Sequence, residues 1–375
     1  MDPVKLGVAL WRKLNNDQFS VQIPRRSAPR HCGQSLAESV ASPMPLMITA
    51  TLRTVCFSWY VRLRATPHMS GSFPCLWSSD PSSALVLPDH NVGADCRQAC
   101  RIISRMAKYT LSRKHADKFR LYELSVQDPT FEVDFAVRQY RQRRRRRPLV
   151  LREDFCGTAS NSCQWVKEHR DARAIALDLD DETLNWARVH NVDPLGDMKR
   201  RVDLRIQDVR TATRPKADVV QAFNFSSYLF HPLPELLRYF RYVRRSLAPG
   251  GIFMVDGYGG WESQQVLKEE RSVESSTGTF GYIWDQADFN PIDNLALCHI
   301  HFEFKNRKRW KRAFTYHWRI YTPVEICDAL EATGFKNIKV FWDFEDTEDA
   351  SEFRAAKRVE NCPGWIFYVI ADGSS

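Results

Sequence analysis

The segment from Leu149 to His190, LVLREDFCGTASNSCQWVKEHRDARAIALDLDDETLNWARVH, constrains the fold of this chain more than any other. Leu149-Val150-Leu151 is an apolar β run closed by Glu153 and Asp154. Phe155-Cys156-Gly157-Thr158-Ala159 is a turn of mostly small residues. Ser160 to His169 reads as a helix, and Ala174-Ile175-Ala176-Leu177 as a second strand closed by Asp178. A βαβ unit with a small-residue first turn sets backbone N–H groups and a helix N-terminus beside a ligand. The acid ending the second strand suits both hydroxyls of a ribose, and the 25 positions from Glu153 to Asp178 suit one such unit. A dinucleotide fingerprint, GxGxxG, admits a pyrophosphate. This turn has one glycine, Gly157, with Phe155 and Ala159 in the flanking positions, so a pyrophosphate fits poorly.

Later segments keep the α/β pattern. Val202 to Val209 is a short strand with an acid, Asp208, near its end. Ala217 to Phe225 is a nearly continuous apolar run, as expected of a parallel strand buried on both faces. It ends at Asn224-Phe225-Ser226-Ser227. Leu233 to Leu247 is an amphipathic helix stopped by Pro249-Gly250-Gly251, and Ile252 to Asp256 is the next strand. Pro323 to Thr333 reads as a helix ending at Gly334, followed by strands at Ile338–Phe344 and Trp365–Ile370. Between these halves lies an insertion, roughly 259–321, with three expected strands: Gly281–Phe289, Asn294–Lys305 and Trp310–Tyr321. The second alternates Ile300, Phe302 and Phe304 against His299, His301 and Glu303.

The turn at 153–159 resembles the first motif of class I S-adenosylmethionine-dependent methyltransferases, D/E-x-G-x-G-x-G. Glu153 takes the acidic position, Gly157 the central glycine and Ala159 the third, while Phe155 replaces the first. The string LREDFCGTA is similar to a poorly characterised branch of that superfamily, and LAPGGIFMVDGYGG looks like its helix-to-fifth-strand junction. The resemblance spans roughly Lys114 to Ala371. It implies a Rossmann-like sheet of seven strands, mostly parallel with one antiparallel strand, and helices on both faces. The cofactor it implies is S-adenosylmethionine, with methyl transfer to a nitrogen or oxygen of a small-molecule acceptor. Implied cofactor contacts are Glu153, Phe155, Gly157 and Ala159 in the turn, Asp178 and Leu179 at the ribose, and Asp208 and Val209 at the adenine. Asn224 and Phe225 fall where donor and acceptor meet. Tyr122 is placed near the sulfonium, where a π face favours a cation.

The insertion resembles the antiparallel flap that covers small-molecule sites, including those of glycine N-methyltransferase-like enzymes. Methyl transfer needs in-line alignment, exclusion of water and, for a protonated acceptor, removal of a proton. Asp256, Tyr258 and His317 are therefore the catalytic candidates. Asn224, Tyr228, Tyr316 and Arg319 are the acceptor-binding candidates. His317 and Arg319 share a face by strand alternation. His317 reads as a base or a satisfied surface histidine, and Arg319 as a carboxylate clamp or a flap ion pair.

With 375 residues, 43% of them apolar, the chain can bury a large core in one or two domains. Residues 1–105 differ in character. They hold 9 of the 19 prolines, and 12 Lys/Arg against 6 Asp/Glu, so +6 of the net +9 lies there. They read as a low-order extension, a targeting segment or a mispredicted start, with family-like sequence beginning at Met106. Residues 106–148 read as a helical lid with an Arg-rich linker, and 149–375 as the catalytic domain. Met44–Leu63 is interrupted by Arg53 and Arg62, a poor membrane span, so no membrane partner is expected. The extension is rich in Ser and Arg but carries Asp2 and Asp17. A cytoplasmic location is expected, with organelle import as the alternative if the extension is genuine. Cys298-His299-Ile300-His301 lacks a second ligand pair, so no metal is expected, and free thiols suit a reducing compartment. Arg143–Arg147 reads either as a nucleic-acid contact or as a solvated loop. It keeps an RNA or protein methyltransferase open as an alternative. The Phe155 and Ala159 departures keep open a non-catalytic binding module.

Overall fold

The computed structural model describes residues 109–343 and 353–373; the readings made on the N-terminal extension lie outside them. Two capped helices come first. α1 (Lys118–Val126) starts at Asp117, whose carboxylate accepts the N–H groups of Phe119 and Arg120 at 2.9 Å. α2 (Pro129–Arg144) starts at Asp128, with Pro129 in its first turn, and ends on Arg145 in the left-handed conformation. Then follow β1 (Val150–Asp154), α3 (Ser160–Glu168), β2 (Arg173–Asp178), α4 (Asp181–Ala187), β3 (Val202–Ile206), β4 (Ala217–Ala222), α5 (Leu233–Ser246) and β5 (Leu247–Gly259). The insertion supplies β6 (Leu267–Ser275), β7 (Gly278–Asn290), β8 (Leu295–Glu303) and β9 (Arg309–Arg319). α6 (Pro323–Ala332), β10 (Lys336–Asp343), β11 (Phe353–Ala355) and β12 (Trp365–Asp372) complete the described chain.

The main sheet runs β11-β10-β12-β5-β4-β1-β2-β3. The seven expected strands are all in it. The short β11 adds an eighth at the edge, antiparallel to β10, so two strands rather than one run against the rest. Strand order reverses between β1 and β4, the switch point where open α/β sheets bind ligands. The run in β4 is buried at every position and feeds both sides of the core. Val220 and Ala222 pack with Leu236, Tyr239, Phe240 and Ile326 from α5 and α6. Val219 packs on the other side with Leu151, Val133, Tyr140 and Trp165, bringing in α2 and α3.

The flap is a separate sheet of four strands, β6-β7-β8-β9, where three were expected. β6 reads LKEERSVES, and its alternation is between half-buried and exposed residues that are mostly polar, so it carries no apolar period. Cys298 faces inward in β8, while His301 faces outward and meets Asp285 at 3.0 Å.

The arginine run straddles the end of α2 and the loop that joins it to β1, with Arg145 and Arg146 exposed. Arg143 and Arg144 lie in the last turn of α2 and flank Asp372 of β12, at 3.6 and 3.0 Å. Arg144 also donates to the Gly250 carbonyl at 2.6 Å, and a Cβ on Gly250 would come within 2.9 Å of its Nε. Arg146 pairs with Asp218 at 2.9 Å, and Arg147 donates to the Glu168 carbonyl at 3.0 Å. Arg143, Arg144 and Arg146 fasten the end of α2 to the sheet, and Arg147 ties the following loop to α3.

Arg152, in the middle of β1, is fully buried. Its guanidinium donates to Asp154 at 2.6 Å, to the Val209 carbonyl at 2.6 Å, to the Thr211 carbonyl at 2.9 Å and to the Ser246 hydroxyl at 2.5 Å. Tyr239 of α5 donates to the other Asp154 oxygen at 2.8 Å. Breaking a buried pair from one side leaves a charge without its partner. Arg152→Met is therefore expected to lower unfolding free energy by about 3–5 kcal/mol, read from the urea midpoint. A midpoint equal to wild type would show that the network adds no stability.

Candidate active site

The first turn keeps a glycine-type geometry without the glycines. Phe155, Gly157 and Ala159 have φ of 55°, 49° and 56°, all in the left-handed region. Non-glycine residues there cost on the order of 1–2 kcal/mol each. The conformation is held from outside. Cys156 donates its N–H to Leu177 of β2 at 2.9 Å, and Gly157 donates to the Asp178 carboxylate at 2.8 Å. The Phe155 ring packs against Phe230 and Tyr239, with centroids 5.9 and 5.7 Å away. A Cβ built on Gly157 would meet nothing within 4 Å, so the turn borders open space. No side chain caps the N-terminus of α3 at Ala159.

Asp178 also accepts the N–H groups of Leu179 and Asp180, at 2.7 and 3.0 Å. A carboxylate has about four acceptor positions, which leaves capacity for a ligand hydroxyl. Leu179 and Ile206 stand 66% and 62% exposed at the open ends of β2 and β3. Val209 is buried behind them. Asp208 is bound by Arg210 through its side chain, at 2.7 Å, and through its backbone; these bonds hold its carboxyl below the ordinary range. Arg210 reaches Glu235 of α5 at 2.6 Å as well. A carboxylate with spare acceptor capacity beside exposed apolar side chains and an open-flanked glycine could hold a nucleoside.

Three buried acids line the adjoining side. Glu153 accepts the N–H of Ser162 at 2.8 Å. Asp256 accepts the N–H groups of Asn224 and Phe225, both at 2.8 Å, and so fixes two consecutive left-handed residues with φ of 58° and 59°. Glu132, in the first turn of α2, accepts from Asn161 at 2.5 Å. Burial raises Glu153 and Asp256 to about 7, and raises Glu132 well above its ordinary value. Glu132 also feels Asp256 and Glu153, so the three acids share one region.

Tyr122 of α1 faces the flap. Its ring is 4.9 Å from Phe314, and its phenol faces that of Tyr316. Burial pushes the phenols of Tyr122, Tyr282 and Tyr316 up, so they stay neutral. Tyr258 is buried against Phe225 and Trp318, with centroids 4.7 and 5.9 Å away.

Other candidates lie elsewhere. The Tyr228 hydroxyl is buried within 2.9 Å of the Tyr258 and Tyr321 carbonyls, a brace beneath the site. His317 and Arg319 do share a face, but it is the outer one, opposite Tyr316 and Trp318. His317 is exposed, with its carbonyl 2.7 Å from His231, and Arg319 donates to the His231 carbonyl at 2.9 Å. Sequence reasoning missed Glu132, which looks like an ordinary first-turn acid, and Arg210, which looks like surface charge.

Residues 154–255 match the family described as a methyltransferase domain. No curated protein matches the chain. Among solved structures, DesVI of Streptomyces venezuelae is similar at 18% identity with a TM-score of 0.52, covering 69% of this chain and 99% of that one. An S-adenosylmethionine-dependent methyltransferase from Clostridium acetobutylicum is similar at 18% identity with a TM-score of 0.50, covering 68% and 97%.

A carboxyl raised by folding adds stability that is complete below its unfolded value and is lost as pH rises through its folded value. For Glu153 that window runs from the ordinary 4.5 to about 7. Glu153→Gln should therefore gain stability relative to wild type as pH rises from about 5 to about 8, measured by urea unfolding. A constant difference would mean that Glu153 is ionised throughout. Motif, sheet order and family match agree on a methyltransferase domain across residues 154–255, set in a Rossmann-like sheet.

Proposed function

We propose that the chain methylates a nitrogen or oxygen of a small molecule held between the strand ends and the flap. The observation that carries this reading is the meeting of lid and flap over the strand ends, where Tyr122 of α1 packs on Phe314 and faces Tyr316 of β9. Such a cover encloses an acceptor and excludes water. S-adenosylmethionine, when bound, supplies an activated methyl group together with its own leaving group. The chain's residues bind and orient. In this reading Asp178 holds the ribose hydroxyls, Leu179 and Ile206 flank the base, and the Phe155–Ala159 turn and Glu153 hold the amino-acid end. Asn224 and Phe225 form the floor under the reacting groups, with Asp256 as a positioning residue because both its oxygens hold their N–H groups. Tyr122 offers its ring to the sulfonium. The nucleic-acid alternative loses its support, since Arg143, Arg144, Arg146 and Arg147 are engaged within the chain.

The test is calorimetric titration of S-adenosylmethionine and S-adenosylhomocysteine into the full chain. Asp178→Ala should weaken both by roughly 1.5–3 kcal/mol, the scale of hydrogen bonds to a charged group. Unchanged affinity would remove Asp178 from the ribose role. Absence of binding to folded wild-type protein would favour the non-catalytic module.

A further inference from the structure

The inner face of the flap combines aromatic rings with a carboxylate. Strand register puts Glu269 of β6 directly opposite Trp284 of β7, and Arg271 opposite Tyr282. Register across the sheet puts Tyr316 opposite Cys298 on that same inner face. The Trp284 ring lies 6.4 Å from Tyr316, 5.9 Å from Trp318 and 6.4 Å from Tyr258. Tyr316 stacks on Trp318 at 4.4 Å. Trp284, Tyr316 and Tyr122 pack against the core beneath the flap while each keeps part of its surface accessible.

From Leu267 to Val273, the inward positions of β6 hold two charged residues, Glu269 and Arg271. The Arg271 guanidinium lies over the Tyr282 ring, 4.9 Å from its centroid, and donates to the Ser125 carbonyl in the last turn of α1. It closes the flap onto the lid. Glu269 is half-buried beside Trp284, and burial with the like charge of Glu262 raises its carboxyl above the ordinary value. A half-buried carboxylate beside aromatic faces is a poor partner for an anion, and an uncharged alcohol offers it a hydrogen bond but no charge for the rings. It matches an ammonium group, which pairs with the carboxylate while its carbon substituents rest on the rings.

We infer that this inner face is an ammonium-binding site, with Glu269 as charge partner and Trp284 and Tyr316 as walls, and that the acceptor is an amine arriving as its conjugate acid, which passes one proton to the Glu269 carboxylate so that its nitrogen lone pair forms the N–CH3 bond as the S–CH3 bond breaks. The inference deepens the proposed methyl transfer and rests on that reading.

The probe pair is choline and 3,3-dimethylbutan-1-ol, which share a shape and differ in charge. Each is titrated into the full chain saturated with S-adenosylhomocysteine, and binding is followed by saturation-transfer NMR. Choline should bind at least about tenfold more tightly, the scale of one charged contact with an aromatic face. Glu269→Gln should remove most of that preference while leaving S-adenosylhomocysteine affinity and the thermal midpoint unchanged. Equal binding of the two probes, failure of choline to bind, or a preference that survives Glu269→Gln would overturn the inference. The wild-type comparison decides even if the variant does not fold. Failure of S-adenosylhomocysteine itself to bind would count against the cofactor reading instead.

Discussion

The guanidinium of Arg152 is the point from which the ligand-facing end of this domain is organised. It sits in the first strand, yet its hydrogen bonds go to the loop after β3 and to the end of α5. Through Asp154 it also reaches Tyr239. Elements far apart in sequence are thus tied to one planar group with fixed donor directions. The loop so tied is the one that carries Asp208 and Val209. An arginine buried this way is costly unless its donors find acceptors, and each of its three nitrogens finds one.

Carboxylates repeat that logic on the backbone. Asp178 collects the N–H of Gly157, Glu153 that of Ser162, and Asp256 those of Asn224 and Phe225. Asp178 and Asp256 each fix a turn at the end of a neighbouring strand, and Glu153 ties the first turn of α3 to β1. Asp256 holds the left-handed Asn224 and Phe225 this way, while the left-handed Phe155 and Ala159 flank the Gly157 that Asp178 holds; strain of this kind gathers where the surroundings over-determine it. Holding Glu153 and Asp256 near 7 also moderates the negative charge of an empty cleft. A cationic ligand would restore their full ionisation.

Much of the fold was legible because the sequence pattern and the packing obey one rule at those places. The run in β4 is apolar because both its faces are covered, and the α5 stripe is apolar because one face is. The acids at the ends of β1 and β2 were readable from spacing. Other parts were not. β6 pairs by register through polar residues, so it shows no apolar period. The roles of Arg143 to Arg147 depend on Asp372 and Asp218, far away in sequence. Alternation told that His317 and Arg319 share a face, but only the packing of Trp318 against Phe225 says which face looks inward. Phe155 looked like a broken motif because a left-handed φ is invisible in a residue name.

The position of β12 has a consequence for how the chain comes to be folded. It is the last described strand, yet it lies inside the sheet between β5 and β10. Its Asp372 receives the arginines of α2, from the beginning of the domain. During synthesis, the edge of β5 and the cations of α2 wait for these residues to emerge from the ribosome. An open strand edge is a template for pairing with other chains. The sheet therefore closes only after β12 is released, and a chain stopped short of Trp365 would present that edge to its neighbours.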